Sequence, residues 1–323
     1  MVPLHRKLAL TALLTALVVA PWASVGAAPG QAAPDRIDLP NGWQPEGITT
    51  DGRTLYVGSL ADGAIWRASA RTGAGEVLAS GRRGRVAVGI EYDRRRDLLW
   101  VAGGETSVIR AHDADTGKLR ATYRFRSRTP RFLNDLVVTP RAVYATDSTH
   151  AQLAVVPLSR RHHDHRGGAL PPRSAARILR LTGAFELEDG FNLNGIVESG
   201  HRLLAVQGNT GLLFRINGRT GHTREVDLGG DTLVNGDGME PGRGVLYVVR
   251  NQDHVIAVVD LNRRRTRGVV VEMITDDDVA PEDRFAVPTT TALVKRSLYV
   301  VNARFGTTPT PSTAYWITRV PAR

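Results

Sequence analysis

The chain contains no cysteine. Disulfides, thiolate metal sites and a cysteine nucleophile are therefore excluded. A Gly-x-Ser-x-Gly element is also absent, so no exposed serine elbow is indicated. Lysine is confined to Lys7, Lys118 and Lys295, and nearly all of the positive charge behind the net +10 is arginine. The arginine runs, such as residues 94–96 and 263–265, fall in dispersed turn-like stretches. They are not interleaved with aromatics, so no nucleic-acid partner is expected. Beyond the N-terminus no apolar run is long enough to span a bilayer.

The first residues read as a cleaved leader. His5-Arg6-Lys7 is a basic start, residues 8–20 are apolar, and Val25-Gly26-Ala27 is a small-residue cleavage site. Residues 1–28 are thus expected to be a signal peptide, and the mature chain to be secreted. Its remaining length needs no staples to bury a core. It is expected to form a single domain over residues 35–323 and to act as a monomer.

One apolar element recurs six times: Leu55-Tyr56-Val57, Leu99-Trp100-Val101, Val143-Tyr144-Ala145, Leu203-Leu204-Ala205, Leu246-Tyr247-Val248 and Leu298-Tyr299-Val300. The central residues are 44, 44, 60, 43 and 52 positions apart. Each copy follows a short strand and a polar turn, and precedes an alternating third strand. Periods of roughly 40–50 residues built from short strands mark a β-propeller. Six copies predict an all-β, six-bladed β-propeller. The sixth unit lacks a fourth strand, whereas Arg36-Ile37-Asp38-Leu39 is spare at the other end. This N-terminal strand is predicted to close the last blade, since an open ring leaves an unpaired edge.

The longest spacing holds an insertion over residues 159–172, with His162, His163 and His165. A His-rich tract can bind metal, but here it reads as a solvated loop on the face away from the inner-strand starts.

Four inner strands begin at the same phase with an oxygen donor: Glu46, Asn134, Asn194 and Asp237. In a propeller these positions converge on the channel. Two carboxylates and two amides form a hard, oxygen-only site suited to Ca²⁺ or another hard divalent cation. The nine histidines do not gather there, which disfavours a redox metalloenzyme. Loops after the second strands should overhang the same mouth and bring Asn209 and Asn251 to a substrate.

The stretches Pro45-Glu46-Gly47-Ile48, Arg131-Phe132-Leu133-Asn134-Asp135, Leu193-Asn194-Gly195-Ile196 and Asn235-Gly236-Asp237-Gly238-Met239 resemble the metal-site motifs of the senescence-marker-protein/gluconolactonase/luciferin-regenerating-enzyme family. The resemblance spans about residues 39–320. It implies a central divalent cation and lactone or ester hydrolysis, with Glu46, Asn194 and Asp237 coordinating the metal. It implies that Asn134 coordinates directly or through water and helps place substrate, and that Asp237 is the general base. Two features depart from the family. Phe132 and Leu133 separate Arg131 from Asn134 where the family has one residue, and Leu136 replaces a glycine. A one-residue shift reverses side-chain direction in a strand, so an altered substrate pocket is expected around a retained metal site, with Arg131 as a candidate substrate residue.

The expected function is a secreted, divalent-cation-dependent lactonase or carboxylic ester hydrolase acting on a small molecule. In it Asp237, or nearby Asp135, takes a proton from the attacking water. The alternative is a non-enzymatic propeller whose metal is structural and whose channel mouth binds a ligand or protein.

Overall fold

Each Leu-Tyr-Val element becomes the second strand of a small antiparallel sheet. The structure, a computed structural model, describes residues 32–158, 170–277 and 279–323. Residues 1–28, where a signal peptide is expected, the His162–His165 tract and Asp278 lie outside the described residues.

The described residues form six sheets, the six blades of a β-propeller. Blade 1 is Pro45–Thr50, Thr54–Ser59, Ile65–Ser69 and Gly75–Ala79, paired in that order. The other inner strands are Ile90–Asp93, Leu133–Val138, Leu193–Ser199, Gly236–Pro241 and Pro288–Val294. They pack side by side around the axis, and the sixth lies against the first.

The repeat is buried because each second strand is sandwiched between neighbouring blades. Six apolar clusters result, each shared by two adjacent blades. Trp100 and Tyr123, both fully buried, stack at 5.9 Å between blades 2 and 3. Phe185 and Phe214 meet edge to face at 5.4 Å between blades 3 and 4. Full burial of one such side chain is worth roughly 1.5–3 kcal/mol, so the blade interfaces carry the stability.

The N-terminal strand Arg36–Leu39 pairs antiparallel with Tyr315–Pro321, completing blade 6 in the order expected from the sequence. Ile37 and Leu39 enter the cluster between blades 6 and 1. The Arg319 guanidinium also meets the Asp35 carboxylate. One feature has no counterpart in the repeat. Thr182–Gly183 adds a short parallel edge to His222–Glu225, so blade 4 has five strands. Among the described residues no helix is long and apolar enough to cross a membrane.

Candidate metal centre and channel mouth

Five of the six inner strands share one backbone irregularity; in blade 6 it falls on Thr289, and in the other four it falls on the candidate oxygen donors. In blade 1 Pro45 pairs with Ser59 and Ile48 with Val57, so Glu46 and Gly47 oppose Gly58 alone. Blades 3, 4 and 5 repeat the pattern. Asn134-Asp135 oppose Thr146, Asn194-Gly195 oppose Val206, and Asp237-Gly238 oppose Val249. Two residues against one is a β-bulge, which bends the strand and re-aims a side chain. The candidate donor is the first bulge residue each time. Blade 2 pairs regularly along its inner strand and carries no donor at that phase.

The second bulge residue packs against the next blade. A Cβ on Gly47 would lie 2.4 Å from the Val88 carbonyl oxygen, and one on Gly195 would lie 2.3 Å from that of Asp237. Glycine is needed at both for this close approach. Blade 3 differs, because Asp135 stands there. One of its carboxylate oxygens accepts the Leu136 amide at 2.8 Å and the other accepts the Ile196 amide of blade 4 at 3.0 Å.

Cross-blade hydrogen bonds hold the bulge carbonyls. The Thr289 hydroxyl donates to the Glu46 carbonyl and the Thr146 hydroxyl to that of Asn194, each at 2.7 Å. The Gly89 amide donates to the Asn134 carbonyl at 2.9 Å.

The two amide side chains are oriented by what their nitrogens bind. Asn134 Nδ2 donates to Ser148 Oγ at 3.0 Å, and that hydroxyl donates onward to the Leu193 carbonyl at 2.7 Å. Asn194 donates to the Asp237 carboxylate. Its own Oδ1 is buried and accepts no hydrogen bond. A buried acceptor left unpaired costs about 1–3 kcal/mol, so this oxygen is aimed at something outside the protein atoms.

Both carboxylates are poorly placed for charge by the protein alone. Burial pushes Glu46 well above the usual carboxylate range, and Asp237 and Asp135 push it further. Burial raises Asp237 to about 7, although Asn251 Nδ2 donates to its Oδ2 at 2.7 Å. An adjacent cation would reverse this preference.

Glu46, Asn134, Asn194 and Asp237 together line one cavity of about 460 Å³ at a channel mouth. Asn209 and Asn251 stand at the same cavity. The other two candidates do not. Arg131 is absent from the lining; it donates to the Phe125 carbonyl at 3.2 Å and lies 3.7 Å from the buried Asp147 carboxylate. Asp135 lines a separate cavity of about 240 Å³ further along the channel, with Glu91 and Glu240. Burial raises Glu91 to about 8 and moves Glu240 well up.

Among the described residues no group of three or more His, Asp or Glu forms a metal cluster; the converging set is two carboxylates and two amides. Sequence reasoning missed Phe132 and Phe191, which also line the mouth. The only available signal was an apolar residue a few positions before an inner strand.

No protein-family model matches the sequence, and no curated protein sequence matches it. Solved structures resemble it in fold. The major allergen Mala s 1 of Malassezia sympodialis aligns over 89% of this chain and 96% of its own, at 14% identity and a TM-score of 0.65. A streptogramin B lyase aligns over 88% of this chain and 97% of its own, at 12% identity and a TM-score of 0.52. A chain of a nidogen/laminin complex aligns over 77% and 85%, at 14% identity and 0.54. Identities this low speak for the architecture and leave the chemistry to the site.

Proposed function

We propose that the protein is a divalent-cation-dependent hydrolase of a small lactone or ester, and a distant relative of the gluconolactonase-like propellers. One observation carries the reading. The Asn194 Oδ1 atom is buried without a partner, and it borders a cavity shared with Glu46, Asn134 and Asp237. An oxygen-only set with two carboxylates suits Ca²⁺.

Glu46, Asn194 and Asp237 would hold the cation, with Asn134 completing the set or placing substrate. When bound, such a cation polarises a carbonyl and stabilises the oxyanion formed on attack. The chain's own groups do the rest. Asp237 takes the proton of the attacking water and returns it to the leaving alkoxide as the acyl C–O bond breaks, and Asn251 keeps its carboxylate oriented through the 2.7 Å bond. The Ser148 relay fixes the Asn134 side chain so that its oxygen is free for substrate. The buried floor limits bulk water at the reacting carbonyl.

The four donors come from four blades, which favours one rival. In it the cation ties the ring together and the mouth only binds a ligand. Hydrolysis of a lactone and aryl-ester panel, with and without chelator, separates the two readings. The hydrolase reading expects activity that chelation abolishes, calcium restores and Asp237→Asn lowers by at least about a hundredfold, the scale of a lost general base. A full panel without calcium-dependent turnover sinks it.

A further inference from the structure

The walls of the metal-centre cavity differ in chemistry from its floor. Among the described residues Glu46 and Asp237 are the only charged ones lining it, and both are buried. The apolar part of the lining is the buried Val88 with Leu60, Phe132, Phe191 and Phe305. Phe132 and Phe191 meet edge to face at 5.1 Å and 83°. Phe191 is 56% exposed and Phe305 43% exposed. The whole chain has only 7 phenylalanines, so three at one mouth form a concentrated apolar rim. Large apolar side chains left in water around a concave site mark a place where apolar surface is covered.

Several amide groups at the rim are already engaged by the protein. Asn209 Nδ2 donates to the Asp189 carbonyl at 2.9 Å. Asn235 Nδ2 donates to Asp253 at 3.1 Å. Asn251 donates to Asp237, and its Oδ1 accepts the Gln252 amide at 2.7 Å. Arg131, the candidate cation for an acidic ligand, is absent from the lining and lies against Asp147. Hydroxyls of a polyhydroxylated ligand that lay against Phe132, Phe191 and Phe305 would go unpaired, which is costly. Among the described lining residues no positively charged side chain is present to pair with a carboxylate ligand.

We infer that this cavity takes an uncharged carbonyl compound bearing an apolar chain or ring. The carbonyl faces the Glu46–Asp237 floor, and the chain lies against Phe132, Phe191 and Phe305. A volume of about 460 Å³ falls within the range of small-molecule sites. The placement of the carbonyl rests on the proposed cation centre, whereas the apolar preference rests on the walls.

The test uses lactams, which keep the ring carbonyl but resist hydrolysis. Binding of 2-pyrrolidinone, its 5-butyl and 5-octyl derivatives, and D-gluconolactam to the full chain is measured by calorimetry in calcium. Affinity should rise roughly two- to fourfold per methylene, the range for partial to full burial of that group, and gluconolactam should bind more weakly than the butyl compound. Phe191→Ser and Phe305→Ser, both at exposed positions, should flatten the dependence on chain length while the melting temperature holds. Affinity that does not change with chain length, or tighter binding of gluconolactam, overturns the inference. The matching lactones separate it from the hydrolase reading. Chain-dependent lactam binding without lactone turnover removes the hydrolase and keeps the ligand class. Turnover indifferent to chain length does the reverse.

Discussion

Asp135 shows how one residue can carry a different role from the one its motif implies. It follows a candidate ligand directly, and by sequence it is a second candidate base. In the fold it is the second residue of a bulge, and that position packs sideways onto the next blade. Both carboxylate oxygens accept backbone amides, one of them across the blade 3–4 boundary. Asp135→Asn leaves one of these amides facing an NH₂ group, so a loss of about 1–3 kcal/mol is expected, read as a lower denaturation midpoint. A variant that keeps full stability but loses hydrolysis would instead return Asp135 to the catalytic role.

His112 offers a second test at this scale. Its Nδ1–H donates to the Gly117 carbonyl at 3.0 Å, and Nε2 is buried without a partner. Burial lowers its pKa from 6.5 to about 4, and nearby Arg110 and Arg85 add to the effect. Between those values the unfolded chain holds the extra proton and the folded chain does not. Stability therefore falls as pH drops from about 6.5 to 4, by up to about 3 kcal/mol, and is indifferent to this group above 7. His112→Gln keeps a donor for Gly117 and cannot charge. Its melting temperature should decline less than that of the parent between pH 7 and pH 4.5. Parallel pH profiles for the two proteins would show that His112 is not the source.

The strands were readable because a propeller repeats its burial pattern. The second strand of every blade is sandwiched, so Leu-Tyr-Val elements recur at one phase, and counting them yields the blades. The phase of the donors was readable for the same reason. What the sequence hides is register. A bulge changes which residues oppose each other without changing composition, and only an Asn-Gly or Asp-Gly pair hints at it. The two-residue edge Thr182–Gly183 is too short for any periodicity. Arg131 was hidden differently, since its partner Asp147 lies in another strand and only the extra residue before Asn134 signalled a change. The closing strand gives the element-scale prediction. Removing residues 35–40 deletes the pairing with Tyr315–Pro321 and the burial of Ile37 and Leu39. Those two side chains alone are worth about 3–6 kcal/mol, a large part of a typical domain stability. The double variant Ile37→Ser/Leu39→Ser should reproduce most of the drop in melting temperature. An unchanged midpoint in both proteins would mean that blade 6 does not need its N-terminal strand.

At the scale of the whole molecule, the four candidate donors belong to blades 1, 3, 4 and 5, so a cation held by them is a cross-link of the ring. A ligand that binds the folded state alone stabilises it by about 2.7 kcal/mol at a hundred times its Kd, which for a chain of this size is a rise of several °C. The proposed centre therefore predicts a melting temperature that climbs with the logarithm of calcium concentration. The climb should be weaker for magnesium, which demands a tighter octahedral shell. Asp237→Asn and Glu46→Gln should flatten it, whereas Asp135→Asn should lower the baseline and keep the slope. The pH dependence has a definite sign. Without a cation, burial and the neighbouring carboxylates hold Asp237 protonated up to about 7 and Glu46 well above its usual range. Calcium must displace those protons, so its effect should grow as pH rises through about 7 and shrink below it. A calcium response that is the same at pH 6 and pH 8 would place the cation elsewhere than between these two carboxylates. No response at all would leave Asn194 Oδ1 buried without a purpose and remove the ground for the hydrolase.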